Sequence, residues 1–130
     1  MTYPFEWLDD DSSLVVVNAD VNEETTLRFL LDTGSSDTYL DKNILYIEQI
    51  NLKEAIEQVE IETANGLIFA DVFSIDSLEV LGLKLQNHPI NVIDFIANGI
   101  MSNYSGILGM DILQQKNLCL HFDEQTLTFS

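Results

Sequence analysis

The sequence predicts a mainly β protein with one or two short helices. Short runs rich in Val, Ile and Leu recur along the 130 residues, and glycine, asparagine and proline separate them. Many short strands with little helix are typical of a mainly β fold. With 46% hydrophobic residues the chain can bury a core without metal or disulfide bonds. We expect a single domain over residues 1–130, with residues 1–13 as an N-terminal extension.

Strands are predicted where short apolar runs are bounded by turn residues. They are expected at Leu14–Asp20, Leu27–Leu31, Thr38–Leu40, Ile61–Thr63, Leu67–Ile75, Ser77–Val80, Leu83–Gln86, Ile90–Ile93, Leu118–Phe122 and Thr126–Phe129. The first pair, the pair around Asn65-Gly66 and the last pair predict hairpins, and Asn-Gly is the strongest short hairpin signal. Gly82 and the Asn87-His88-Pro89 corner are expected to interrupt the chain between the strands that flank them.

Helices are predicted in two places. Asp41 is a suitable N-cap for a segment, Lys42–Gln58, whose apolar residues fit helical spacing better than alternation, in one or two pieces. In Ile107–Leu113 an apolar strand meets Gly109 and then a short helix. Asp111 is expected to cap or lie in that helix and to have no catalytic role.

The charge of the chain excludes some partners. There are 22 acidic residues against 5 basic ones, and a net charge of −17 repels nucleic acid and anionic membrane surfaces. The N-terminal residues lack a basic region followed by an apolar one, and no run of about 18 apolar residues occurs. We therefore expect a cytoplasmic protein that contacts neither nucleic acid nor a membrane.

Single side chains in predicted strands are assigned to the core. Cys119 stands alone, which excludes an internal disulfide, and its apolar neighbours predict a small buried side chain. Tyr39, Phe69 and Phe73 are candidates for a peptide pocket, although aromatic residues in strands more often belong to the core.

Asp32 is the candidate catalytic residue. It follows an apolar strand and precedes a turn in which Gly34 lets a second backbone come close. Two carboxylates about 3 Å apart share one proton, so one activates water while the other donates to a substrate carbonyl. Turn N–H groups and the Ser35 hydroxyl are expected to hydrogen-bond the Asp32 carboxylate, and the Thr33 hydroxyl to fix the loop against a symmetry mate. An ordinary Asx turn would suit the same residues.

Three ordered segments carry a resemblance to a known family. Phe29–Ser35 has the order apolar-apolar-Asp-Thr-Gly-Ser, Glu62–Gly66 is a hairpin tip, and Ile107–Asp111 begins apolar-apolar-Gly. Together they resemble the first signature, the flap and the second signature of the retropepsin-like aspartic proteases. The resemblance covers roughly residues 14–129, nearly all of the chain.

This resemblance implies a closed barrel of the acid-protease type and aspartic endopeptidase activity without a metal or organic cofactor. One Asp-Thr-Gly occurs in the chain, so the catalytic pair implies a homodimer in which each copy contributes Asp32. The flap would close over an extended peptide or protein substrate. The implied site residues are Asp32, Thr33, Gly34 and Ser35 in the catalytic loop and Thr63, Ala64, Asn65 and Gly66 in the flap.

Two segments depart from the family pattern. Residues 41–59 are longer and more helical than the corresponding part of retroviral proteases, and residues 3–7 form an acidic, aromatic stretch that the family pattern does not place. A contribution of residues 3–7 to a dimer interface is one hypothesis.

Other functions fit less well. Residues 32–37 superficially resemble a calcium loop, but its last ligand position would be Asn43 instead of Glu. His88 and His121 lie far apart without Cys or His at ligand spacing, so structural or surface roles are expected. A Ser-His-Asp hydrolase is poorly supported, because the sequence contains no Gly-x-Ser-x-Gly segment. The remaining alternative is a protease fold that serves as a peptide-binding or dimerisation module with little or no hydrolysis.

Overall fold

The protein is built mainly from strands, in a computed structural model that describes residues 1–63, 66–101 and 103–130. Within these residues the strands are β1 (Thr2–Pro4), β2 (Glu6–Trp7), β3 (Val15–Val21), β4 (Thr25–Leu31), β5 (Tyr39–Asp41), β6 (Glu57–Thr63), β7 (Gly66–Val80), β8 (Leu83–Ile93), β9 (Gly106–Leu108), β10 (Leu118–His121) and β11 (Thr126–Phe129). The described helical segments are α1 (Lys42–Ile47), α2 (Met110–Leu113) and a 3-10 turn at Ile96–Asn98. The predicted fold class, mainly β with short helices, is confirmed.

A closed barrel forms from strands that follow one another in the order β3, β4, β9, β5, β8 and β7. It closes because β7 pairs back onto β3, with Ala19 opposite Val80 and Val21 opposite Leu78. The pairs β4–β9 and β5–β8 are parallel, and the other pairs around the barrel are antiparallel. The closed barrel that the family resemblance implies is therefore present, with β2 and β6 extending its sheet.

Apolar side chains that alternate along the strands fill the barrel. The alternate residues of β3, from Val15 to Val21, belong to the main core, and Phe29 of β4 is fully buried in it. Burying a large apolar side chain contributes about 1.5–3 kcal/mol. A slip of β4 by one residue would turn Phe29 out of the core, so the core fixes where β4 ends.

The first and last strands form a separate three-stranded sheet in the order β1, β11, β10. Phe5, between β1 and β2, is 3% exposed. The rings of Trp7 and Phe122 stack beside it, with centroids 6.0 Å apart. The segment predicted as an N-terminal extension, residues 1–13, thus contributes two strands and a buried ring to the fold.

The helix predicted over Lys42–Gln58 is wrong beyond the end of α1. Asp41 is the N-cap, as predicted. The helix stops because Gln49 adopts a left-handed conformation, with φ at 54°, and the N–H of Ile50 turns back to the carbonyl oxygen of Leu45 at 2.9 Å. That turn buries Ile50 in the main core, and the chain later re-enters the sheet as β6.

No helix in the described part of the chain is long and apolar enough to cross a membrane.

Two local predictions are corrected by strand pairing. The predicted corner at 87–89 lies inside β8, which continues through it because β7 is long enough to pair with it on both sides. Cys119 is exposed instead of buried. Strand β10 alternates, so Leu118 and Leu120 pack against the core while Cys119 points away from it. The three predicted hairpins, β3–β4, β6–β7 and β10–β11, are confirmed.

Candidate active site

Asp32 lies directly after β4, at the end of the barrel. Leu31 is paired with Leu108 of β9, and the N–H of Asp32 donates to the carbonyl oxygen of Leu108 at 3.0 Å. Asp32 is partly exposed. The parallel pairing of β4 with β9 therefore places the acid of the first motif beside the first residues of the second motif.

The turn after Asp32 folds its backbone toward the carboxylate. The N–H of Gly34 donates to Oδ1 of Asp32 at 2.8 Å, which confirms the predicted backbone donor. A Cβ on Gly34 would lie 3.1 Å from that oxygen, so glycine permits the close approach. Within the described residues, the hydrogen bonding of the carboxylate is to Oδ1, which leaves Oδ2 available to water or substrate.

Ser35 and Thr33 have different environments in the loop. The predicted hydrogen bond from the Ser35 hydroxyl to the Asp32 carboxylate is wrong. The hydroxyl donates instead to the carbonyl oxygen of Asp37 at 2.7 Å. The reason is that the loop turns back and brings this carbonyl to the hydroxyl. Thr33 is exposed. Ser35 thus stabilises the loop from inside, while Thr33 is exposed on its surface.

The second motif packs against this loop. The N–H groups of Met110 and Asp111, at the start of α2, donate to the carbonyl oxygens of residues 35–36 at 2.7 and 3.1 Å. A Cβ on Gly109 would lie 2.2 Å from the carbonyl oxygen of Asp37. Only glycine allows the loop and α2 to come this close, which is the physical reason for a glycine in the second motif.

A polar cluster of Thr38, Asp111 and His88 lies behind the loop. Thr38 is fully buried and donates from Oγ1 to Oδ1 of Asp111 at 2.7 Å. Nε2 of His88 lies 3.0 Å from Oδ2 of the same carboxylate. Burial raises the pKa of Asp111, but hydrogen bonds from His88 and Thr38 outweigh it and hold the pKa below its ordinary value. Asp111 is in the helix, as predicted, with both oxygens engaged.

Tyr104 is a site residue that the sequence analysis missed. Burial raises the pKa of Tyr104, and the negative charge of Asp32 raises it further. The ring packs edge-on against Phe95, with centroids 6.0 Å apart.

Thr38 was also missed as a site residue. Its one sequence signal is a polar residue at the start of an apolar strand shortly after the Asp-Thr-Gly turn.

The predicted flap is the tip of the β6–β7 hairpin. Thr63 is opposite Gly66, and its hydroxyl donates to the carbonyl oxygen of Gly66 at 2.8 Å. Gly66 has φ at 110°, a conformation that favours glycine. The other two predicted flap residues, Ala64 and Asn65, lie outside the described residues. Phe69 on the same hairpin is 62% exposed, so it is not a core residue.

Two cavities adjoin these elements. A cavity of about 540 Å³ lies between the hairpin and the 3-10 turn, and its lining includes Thr63, Ile68, Ile93 and Ile100. A cavity of about 350 Å³ lies beside the Asp32 loop, and its lining includes Asp37, Thr38, His88 and Asp111.

The sequence matches one protein family over most of its length. A family model described as "Aspartyl protease" matches residues 17–112, which include the Asp32 turn and the second motif through Asp111. The chain belongs to the aspartyl protease family, a family of hydrolases, and the predicted resemblance is confirmed at this level.

The structure is also similar to the crystal structure of a retropepsin-like aspartic protease from Rickettsia conorii. The two chains share 22% sequence identity with a TM-score of 0.67, over 98% of this chain and 97% of that chain. This likeness shows that the fold is retropepsin-like. Comparison of the sequence with curated proteins finds no significant match.

Proposed function

We propose that the protein is an aspartic endopeptidase that hydrolyses peptide bonds with two Asp32 carboxylates brought together in a homodimer. The observation that carries this proposal is the Asp32 turn, in which Gly34 holds one carboxylate oxygen and leaves the other available. Membership of the aspartyl protease family supports hydrolysis as the class of reaction.

The proposed chemistry is general acid-base catalysis. Two carboxylates about 3 Å apart do not both ionise readily, so the pair holds one shared proton and titrates as a unit. The ionised carboxylate takes a proton from water as its oxygen attacks the peptide carbonyl carbon, and the protonated one donates to the carbonyl oxygen. The C–N bond then breaks as a proton passes to the leaving amine. No metal or organic cofactor takes part.

A dimer is proposed because one chain supplies one suitable acid. The sequence contains a single Asp-Thr-Gly, and the carboxylate of Asp111 is engaged by Thr38 and His88. A two-fold axis near the exposed Thr33 would bring both Asp32 residues together. A net charge of −17 on each chain opposes association, so the dimer should tighten as salt rises.

An extended peptide is the proposed substrate. The β6–β7 hairpin can close over such a chain, and an extended backbone can pair with exposed N–H and C=O groups of the flap. The cavity of about 540 Å³ beneath the hairpin is lined by Ile68, Ile93 and Ile100. We expect it to accept an apolar side chain close to the cleaved bond.

The first test is cleavage of a diverse peptide mixture from mild acid to neutral pH, with new termini identified by mass spectrometry. Asp32→Asn is the inactive variant, and Asp123→Asn, in the turn between β10 and β11, is a matched acid-to-amide control. Cleavage by the wild type and the control but not by Asp32→Asn is the expected result. Absence of cleavage by a folded, dimeric protein would favour the peptide-binding or dimerisation module.

Subunit mixing tests whether the active site is shared. Wild-type protein at fixed concentration is mixed with an equal amount of Asp32→Asn and allowed to exchange. If each site needs two Asp32 residues, about a quarter of the dimers are fully wild type and activity falls to about half. Unchanged activity after complete exchange would show that one chain acts alone.

A further inference from the structure

We propose that His88 is a positioning residue for the reaction: it fixes Asp111, which holds the Asp32 loop in place through Thr38 and the start of α2. This inference rests on the proposed function, since it assigns a residue to the support of that same site. His88 itself does not touch the reacting atoms.

The first step is the contact between His88 and Asp111. His88 is on β8, and its side chain is 15% exposed, while that of Asp111 is 24% exposed. The separation of 3.0 Å between Nε2 and Oδ2 is that of a hydrogen bond. Because Asp111 is ionised, Nε2 must carry the donated proton, whether the imidazole is neutral or charged. The strand therefore fixes one oxygen of the helix carboxylate.

The second step is the link from Asp111 to the loop. With Oδ2 held by His88, Oδ1 points to Thr38 and accepts its hydroxyl at 2.7 Å. The same hydroxyl oxygen accepts the N–H of Gly109 at 3.1 Å, and the carbonyl oxygen of Thr38 accepts the N–H of Asn91 at 3.0 Å. Thr38, at the far end of the Asp32 loop, is thus bonded to the second motif and to β8. One of these bonds depends on the orientation of the Asp111 carboxylate.

The third step is the effect on Asp32. The loop from Asp32 to Thr38 contacts residues 108–111 along its length, beginning with the N–H of Asp32 on the carbonyl oxygen of Leu108. Rotation of the Asp111 carboxylate would break its hydrogen bond to Thr38 and loosen the far end of this loop. A displacement of the loop by a fraction of an ångström is enough to slow a reaction that depends on the geometry of two carboxylates.

No Lys or Arg side chain can take the place of His88 among the described residues that line its cavity. The acidic groups that face this cavity are Asp37, Glu57, Glu60 and Asp111. Lys and Arg are absent from the same lining. Removal of the imidazole therefore takes the side-chain donor from Oδ2 of a partly buried carboxylate, in a cavity whose other charged lining residues are acidic.

The kinetic test compares three variants. His88→Leu removes the donor, His88→Gln keeps a side-chain N–H that can reach the position of Nε2, and His121→Leu on β10 is the matched control. We expect kcat of His88→Leu to fall about tenfold with KM within about twofold, while His88→Gln stays within about threefold of wild type. Unchanged activity is expected for His121→Leu. Equal kcat in folded His88→Leu and wild type would overturn the proposal.

Amide hydrogen exchange separates this inference from the proposed function. In His88→Leu the N–H groups of Gly109, Met110 and Asp111 should exchange faster than in His88→Gln or His121→Leu, even if the wild type cleaves nothing. Nitrogen-15 spectra of the wild-type imidazole should show the proton on Nε2. A neutral ring protonated on Nδ1, or equal exchange in all variants, would refute the positioning role whatever the activity.

Discussion

The Asp32 turn and the start of helix α2 lie against each other, but their carboxylates are used in different ways. Asp32 is partly exposed, with Gly34 bonded to one oxygen. Asp111 has Thr38 on one oxygen and His88 on the other. A carboxylate that acts on water needs a free oxygen, whereas one that holds two segments together needs both oxygens satisfied. Hydrogen-bond occupancy therefore separates the candidate catalytic acid from the supporting acid.

The comparison is tested most strongly by exchanging each carboxylate for an amide. Asp32→Asn should lower kcat/KM by at least about a thousandfold and leave the free energy of unfolding within about 0.5 kcal/mol. Asp111→Asn should instead lower the free energy of unfolding by about 1–3 kcal/mol, because an amide N–H would face the donors of Thr38 or His88. Urea unfolding and initial-rate kinetics measure both quantities. Comparable activity loss in both variants would contradict the division of roles.

Replacing the glycines of the two motifs, Gly34 and Gly109, should give the next largest difference between the two regions. Gly109→Ala would place its Cβ 2.2 Å from a backbone carbonyl oxygen, which cannot move without the loop. We expect a loss of about 3 kcal/mol in the free energy of unfolding. In Gly34→Ala the contact is 3.1 Å, to a side-chain oxygen of Asp32 that can rotate.

Gly34→Ala should therefore retain most of its stability and lose activity, because the carboxylate has turned. Thermal unfolding measures the stability of Gly34→Ala and Gly109→Ala, and peptide cleavage measures their activity. If Gly109→Ala is as stable as the wild type, the tight packing of α2 on the loop is incorrect.

A smaller loss is expected when the hydroxyl between the two regions is removed. Thr38→Val keeps the shape of the side chain but leaves Oδ1 of Asp111 and the N–H of Gly109 without their partner. The cost should be about 1–3 kcal/mol in the free energy of unfolding. Thr2→Val, on the exposed side of β1, is the matched control and should change stability by less than about 0.5 kcal/mol. Equal stability of the two variants would show that the buried hydroxyl is dispensable.

The smallest expected effect is the dependence of stability on pH. The pKa of Asp111 is lowered on folding below its ordinary value of 3.8. Its ionised form is therefore favoured in the folded state, and the stabilisation is complete above pH 3.8 and lost as the pH falls through the lowered pKa.

The difference in melting temperature between wild type and Asp111→Asn should thus shrink as the pH falls from above 3.8 into strong acid. Melting curves at several pH values give this difference directly. A difference that grows as the pH falls would mean that burial, which raises the pKa, is the dominant influence.

Local patterns in the sequence were sufficient to predict much of the fold and to select Asp32 as the candidate acid. Alternation and turn residues predicted the three hairpins, and the Asp-Thr-Gly turn after an apolar strand identified Asp32 as the candidate acid. The helix over Lys42–Gln58 was overextended because its apolar residues serve different elements. Some pack from α1, while Ile50 packs from the irregular segment that follows it. Helical spacing in such a mixture is accidental, and tertiary packing overrides it.

The contact between His88 and Asp111, which supports the Asp32 loop, could not be predicted from local patterns in the sequence. His88 and Asp111 are 23 residues apart in the sequence. They meet because β5 lies between β8 and β9 in the barrel, an order that depends on long-range pairing. Ser35 was assigned the wrong partner for a similar reason, since its hydroxyl meets a carbonyl whose position follows from the path of the loop.

The pairing of the first strand with the last has a consequence for the time course of folding. Thr2 is opposite Thr128, so this sheet joins parts of the chain that are nearly its whole length apart. Closing such a large loop costs conformational entropy before any contact is gained, and folds dominated by distant pairings form in roughly milliseconds to seconds. The β1 edge of β11 stays unpaired until then. We therefore expect a delay between synthesis of the chain and the appearance of any activity that needs two completed copies.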